Sequence, residues 1–169
     1  MNKNSNNGYI NFWGVRGSNP TPDSDKLKYG GDTSCIEIRT KNNDLIILDM
    51  GTGIRNLGKE IVNNESYPKE INIFLSHYHW DHIMGFFYFA PLYHSEYTIN
   101  IYGYNNNTPI CVLMDTLINK NFWPVNKELY SANINFIEMD KISNNQQYIK
   151  VNKSNIFYSI HPHPNGTNS

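Results

Sequence analysis

Three imidazoles and one carboxylate fall within six positions of this chain, in the run His77-x-His79-x-Asp81-His82. The whole sequence has six histidines, and three of them lie here. Imidazole and carboxylate are the donors that suit zinc, iron and manganese. Crowded together they lose hydration and repel one another unless a cation takes them up. The structural alternative is a set of polar caps and satisfied core histidines, which is the better reading for a lone histidine. So dense a cluster is hard to satisfy by hydrogen bonds alone. The run therefore reads as a divalent-metal site. Such a site suits hydrolysis, because a metal activates water and stabilises charge on a phosphoryl or carbonyl oxygen.

The elements around the run explain how it is aimed. An apolar stretch over residues 71–75 reads as a buried strand and delivers the cluster at its end. Side chains two apart on an extended segment share a face, so His77 and His79 project together. Asp81 and His82 follow at the turn into a short helix, whose N-terminus a carboxylate suits. Upstream, residues 9–14, 34–40 and 45–48 read as strands, the last two joined by Asn42-Asn43 as a hairpin. Ile54, Leu57, Ile61 and Val62 recur at helical spacing, and Asn63-Asn64 stops that helix. Downstream, residues 97–102, 134–138, 148–151 and 156–160 read as strands. Residues 109–119 read as a helix with Val112, Leu113, Leu117 and Ile118 as its apolar stripe. Trp80, and Phe86 to Phe89 behind it, are expected in the core. His94 has no partner in a motif. The order of elements argues an α/β (α+β) layered sheet-and-helix domain over residues 9–169, after a frayed segment over 1–8.

Composition narrows the function classes. At 169 residues the chain is one domain at most, and 39% hydrophobic residues suffice for a sizeable core. A net charge of −1 gives no overall pull toward nucleic acid or anionic lipid. A metal cluster supplies its own local positive charge, so a nucleotide or phosphodiester substrate stays open. Cys35 and Cys111 form no C-x-x-C pair, and Cys111 reads as core packing. A reducing compartment fits best, and with no apolar signal region or spanning run the expected location is cytoplasmic, without membrane contact.

With these residues in view the chain resembles the metallo-β-lactamase fold hydrolases. His77-x-His79-x-Asp81-His82 matches their ligand motif. The resemblance extends to the phosphodiesterase and ribonuclease Z-like branch through further blocks in order. These are Phe12-Trp13-Gly14-Val15-Arg16-Gly17-Ser18 and Tyr29-Gly30-Gly31-Asp32-Thr33-Ser34-Cys35, then Leu48-Asp49-Met50-Gly51-Thr52-Gly53 and Phe122-Trp123-Pro124-Val125. It implies two divalent metal ions, zinc first, with manganese or iron as alternatives. His77 and His79 would bind the first metal, and Asp81 and His82 the second. His163 resembles the third histidine of the first site, and His161 is the competing candidate. Asp81 would also orient the attacking metal-activated water. Asp49 would hydrogen-bond around the ligand loop; a helix-capping aspartate is the other reading. Arg16, Ser18, Thr33 and Ser34 lie on loops that the family places near its cleft, and Arg16 and Ser18 are candidates to hold a phosphate oxygen. Ordinary turn residues are the alternative there.

The resemblance also has a break. The family fold is an αββα sandwich of two halves. This chain matches the first half and the start of the second, without the later bridging aspartate and last histidine. A fragment of a longer enzyme is the favoured explanation, and a chain completed by homodimerisation or by a partner is the other. In either case one sheet face is expected to lack its cover. Three functions follow as expectations. The first is a metal-dependent hydrolase of small-molecule or nucleotide phosphodiesters, with doubtful activity in this chain alone. The second is a non-catalytic metal-binding or assembly module. The third is an iron redox site, disfavoured because no flavin-binding motif accompanies it.

Overall fold

The computed structural model describes residues 7–104, 107–119, 121, 123–124, 127–142, 148–159 and 161. Six strands form one mixed sheet in sequential order: β1 (Tyr9–Gly14), β2 (Cys35–Arg39), β3 (Leu45–Leu48), β4 (Glu70–Phe74), β5 (Thr98–Gly103) and β6 (Asn133–Glu138). The first two pairings are antiparallel and the remaining three parallel. Parallel neighbours need crossover connections. Helix α1 (Ile54–Asn63) joins β3 to β4, and α3 (Ile110–Leu117) joins β5 to β6. Between β4 and β5 the chain makes a short α2 (Trp80–Ile83) and two 3₁₀ turns, Phe86–Tyr88 and Ala90–Tyr93. A four-residue α4 (Met139–Ile142) follows β6, and β7 (Tyr148–Val151) and β8 (Ser154–Phe157) form a separate antiparallel pair.

Alternation along the strands sorts side chains to the two sheet faces. Leu45, Ile47, Ile71, Ile73, Ile99 and Ile101 pack on one face against Ile54, Leu57 and Ile61 of α1 and Ile110 and Met114 of α3. On the other face Ile46, Phe74 and Tyr102 meet Ile149 and Val151 of β7. The β7–β8 turn is tied down there, with Ser154 Oγ donating to Asp44 at 2.9 Å and Asn152 Nδ2 at 3.3 Å. On the same face three asparagines bridge the parallel strands, Asn135 donating to Asn100 and Asn100 to Asn72. The expected uncovered face is thus partly covered by this hairpin. Ile10 and Phe12 on the edge strand stay exposed.

Several side chains depart from the sequence expectation. The buried stripe of α3 is Ile110 and Met114, while Val112 is 49% exposed. That helix is apolar nearly all round, so the pattern does not choose its inner face. Cys111 is exposed rather than packed in the core. Phe86, Phe87 and Phe89 are buried as expected, but Trp80 and Tyr88 point outward. Successive residues in a short helix and a 3₁₀ turn cannot all face inward.

The loop after β3 docks on the ligand run through backbone bonds. The Met50 N–H donates to the His82 carbonyl at 2.7 Å, and the Gly85 N–H donates to the Met50 carbonyl at 2.8 Å. Gly85 permits this approach: a Cβ there would sit 2.1 Å from the Gly51 carbonyl oxygen. Gly85→Ala is expected to destabilise the protein by about 1–3 kcal/mol through overpacking. A thermal melt monitored by circular dichroism checks this, at roughly 2–4 °C per kcal/mol for a chain of this size.

Candidate metal centre

Two adjacent parallel strands, β3 and β4, end side by side, and their following loops carry the chemistry. This is the carboxyl-end position where open α/β sheets place ligands. Asp49 ends β3 with φ of +64°, a left-handed conformation that aspartate tolerates. Its carboxylate is buried and is shared by Ser76, Ser34 and His82. The Ser76 N–H donates to it at 2.8 Å and the Ser76 hydroxyl at 2.9 Å. Ser34 Oγ adds a bond at 3.0 Å, and His82 Nδ1 lies 2.7 Å away. The helix-capping reading of Asp49 does not describe these contacts, since α1 has no side-chain cap.

The imidazoles gather above this carboxylate. The His77 ring centroid is 4.6 Å from that of His79, edge-on, and 4.1 Å from that of His82. His77 is buried, and its Nδ1 lies 3.0 Å from Ser76 Oγ. Asp81 stands in the first turn of α2, and its Oδ2 accepts the Ser18 N–H at 2.7 Å. Burial pushes the Asp81 carboxyl up, but the Ser18 N–H and the nearby imidazoles outweigh it, and the group titrates below its ordinary range. For His82, burial pulls down, while the hydrogen bond and charge of Asp49, then the charge of Asp81, hold it above its ordinary value.

Donor chemistry decides whether a cation fits. In neutral His82, with Nδ1 donating to Asp49, Nε2 carries the lone pair, and that atom is 3.3 Å from Asp81 Oδ2. Two electron-rich atoms at that separation call for a proton or a cation. A neighbouring carboxylate that fixes the tautomer of a histidine is the support that metal-binding imidazoles need. The set of His77, His79, Asp81 and His82 therefore fits a divalent metal in donor type. Among the described residues no three His, Cys, Asp or Glu side chains converge on one point. His163 lies outside the described residues. His161 is placed, exposed, with Nε2 2.6 Å from Ser159 Oγ. It lines a cavity of about 400 Å³ between the sheet and the β7–β8 hairpin, a cavity that Asp49 and Ser76 also line.

The loop residues divide. Ser18, at φ of +65°, reaches the cluster, but through its backbone N–H to Asp81. Arg16 turns to its own loop, Nε donating to the Gly30 carbonyl at 2.8 Å and a terminal nitrogen to the Lys26 carbonyl at 3.4 Å. Thr33 is fully buried and exchanges reciprocal bonds with Thr52, its N–H to Thr52 Oγ1 at 2.9 Å and the Thr52 N–H to its Oγ1 at 2.8 Å. Ser76 opens the ligand run, and its position beside His77 is the one signal of its role that the sequence carries. The Ser18 amide left no such signal, because a backbone N–H has no residue type. Trp123 stacks on Phe87 with centroids 4.5 Å apart, and Phe122 and Val125 of the same block lie outside the described residues.

A solved structure shares this fold. The metallo-β-lactamase fold protein YhfI from Bacillus subtilis matches 95% of the chain with a TM-score of 0.60 and 18% sequence identity. The chain has the metallo-β-lactamase fold. The match covers 56% of YhfI, so the chain spans little more than half the length of that protein. Zinc-bound PqqB from Methylobacterium extorquens matches 76% of the chain and 48% of its own, with a TM-score of 0.44 and 15% identity. No protein-family model and no curated protein sequence matches the chain. Within the metallo-β-lactamase fold seen here, Asp49 and the His77–His82 run occupy the ends of neighbouring central strands. No described helix is long and apolar enough to cross a membrane.

Proposed function

We propose that the chain carries the metal-binding half-site of a hydrolase that cleaves phosphodiester bonds, in the phosphodiesterase and ribonuclease Z-like branch that its loop blocks resemble. The observation that supports this most is the packing of three imidazoles and Asp81 over one buried carboxylate, Asp49. His77 and His79 would hold one divalent cation and Asp81 and His82 a second, with His161 or His163 completing the first set. The cations, when bound, supply Lewis acidity and an acidified water, with zinc the first choice and manganese or iron next. The protein's own residues do the rest. Asp49 fixes the orientation of His82 and, through Ser76, the start of the ligand loop. Ser18 holds one oxygen of Asp81 and steadies the carboxylate that would accept a hydrogen bond from the attacking water. Asp81, held below its ordinary pKa, is ionised at neutral pH and suited to that acceptor role.

A second reading is a metal-binding or assembly module without turnover. The lack of a three-donor convergence among the described residues favours it. One experiment separates the two. Metal content is measured on the purified chain loaded with zinc or manganese, and the same samples are assayed on an aryl phosphodiester and on the matching phosphomonoester. The hydrolase reading expects metal-dependent cleavage, with the diester preferred at least tenfold. Bound metal with no diester cleavage sinks the hydrolase reading for this chain and leaves the module.

A further inference from the structure

A second cavity opens beside the ligand run, against α3. It measures about 550 Å³, within the roughly 300–1,000 Å³ typical of small-molecule sites. Tyr78, Trp80 and Ile83 form one wall, and Leu113, Met114 and Leu117 form the other. Two of these residues interleave with the candidate ligands: Tyr78 stands between His77 and His79, and Trp80 between His79 and Asp81. By alternation along the chain Tyr78 points away from the face that His77 and His79 share, and none of the candidate ligands lines this cavity.

The lining defines what it can take. The Tyr78 hydroxyl donates to the Tyr104 carbonyl at 3.0 Å, and the Thr116 hydroxyl donates to the Val112 carbonyl at 2.9 Å. Both wall hydroxyls are thus closed on backbone. Apart from the Trp80 indole N–H and the Met114 thioether, what remains is ring face and aliphatic carbon, which favours an uncharged occupant. Trp80 is 53% exposed at this cavity, so an indole beside the ligand run keeps apolar surface in water. A flat ring would cover it by stacking, a contact that an aliphatic group of equal size does not make.

We propose that this cavity binds an uncharged aromatic group of one or two rings. This site stands on its own lining and does not rest on the hydrolase reading. The test is a heteronuclear NMR titration of the chain with phenol, with cyclohexanol as the aliphatic control of the same ring size. A chelator is present throughout, so the outcome is independent of metal and of turnover. Saturable shifts are expected at the Trp80 indole and the Leu113 and Leu117 methyls. Binding is expected to weaken at least tenfold for cyclohexanol. It is expected to weaken equally for Thr116→Phe, which fills the cavity from an exposed position. Trp80→Ala is the second variant, with the same tenfold loss expected, should Thr116→Phe fail to fold. No saturable shift at these residues, equal binding of cyclohexanol, or unchanged affinity in a folded variant would overturn the proposal.

Discussion

Replacing Asp49 by alanine is expected to cost both stability and metal affinity. The carboxylate accepts the Ser76 N–H and hydroxyl, the Ser34 hydroxyl and the His82 ring nitrogen. Truncation leaves these donors without their charged acceptor in a buried setting, which costs about 2–3 kcal/mol after water enters. Alanine also tolerates the left-handed backbone at this position less well than aspartate does. The melting temperature should fall by roughly 4–12 °C. Zinc affinity should fall about 10–100-fold, because the tautomer and orientation of His82 are no longer imposed. Asp49→Asn is the informative control. It keeps the shape and the backbone tolerance but offers a single acceptor oxygen, so it should melt between the parent and Asp49→Ala. Calorimetric zinc titration beside thermal melts reads both effects. Unchanged zinc affinity in a folded Asp49→Asn would remove Asp49 from the metal centre.

The second large effect concerns the ligands. A cation that binds only the folded state stabilises it, by about 2.7 kcal/mol when its concentration is one hundred times the dissociation constant. For a chain of this size that is a rise of roughly 5–10 °C on adding zinc, reversed by chelator. His77→Ala/His79→Ala should cut the rise to what Asp81 and His82 alone support. The expected contrast lies in the response to zinc and not in the starting temperature, since removing two imidazoles from a crowded site also relieves repulsion. Differential scanning fluorimetry with and without zinc is sufficient. An equal rise in the double variant would place the binding elsewhere.

The sequence made some of this architecture readable and hid the rest for physical reasons. Strands β3 and β4 are short apolar runs bounded by turn residues, and Asn43, at φ of +68°, turns the β2–β3 hairpin as the Asn42-Asn43 pair predicts. Helix α1 is amphipathic and declares its buried face through Ile54, Leu57 and Ile61. Helix α3 is apolar nearly all round, so Val112 and Cys111 look like core until β6 fixes which side is covered. Trp80 misleads in the same way, since an aromatic residue beside ligands reads as packing. At the site, residue types announced the histidines and Asp81, and the family resemblance singled out Asp49. The bond from the Ser18 amide to Asp81 spans 63 residues and involves no side chain of Ser18, so no pattern encodes it. Arg16 was a reasonable phosphate ligand by charge, yet its guanidinium finds carbonyls of its own loop first.

The most direct measurement is X-ray absorption at the zinc edge, on the chain loaded with one and then two equivalents of zinc, beside His77→Ala/His79→Ala. Crowded imidazole and carboxylate donors at the end of β4 predict nitrogen and oxygen scatterers at about 2.0–2.2 Å, with imidazole outer-shell features that diminish in the double variant. Zinc that fails to bind, or a spectrum identical in the double variant, would contradict the assignment of this run as a metal centre.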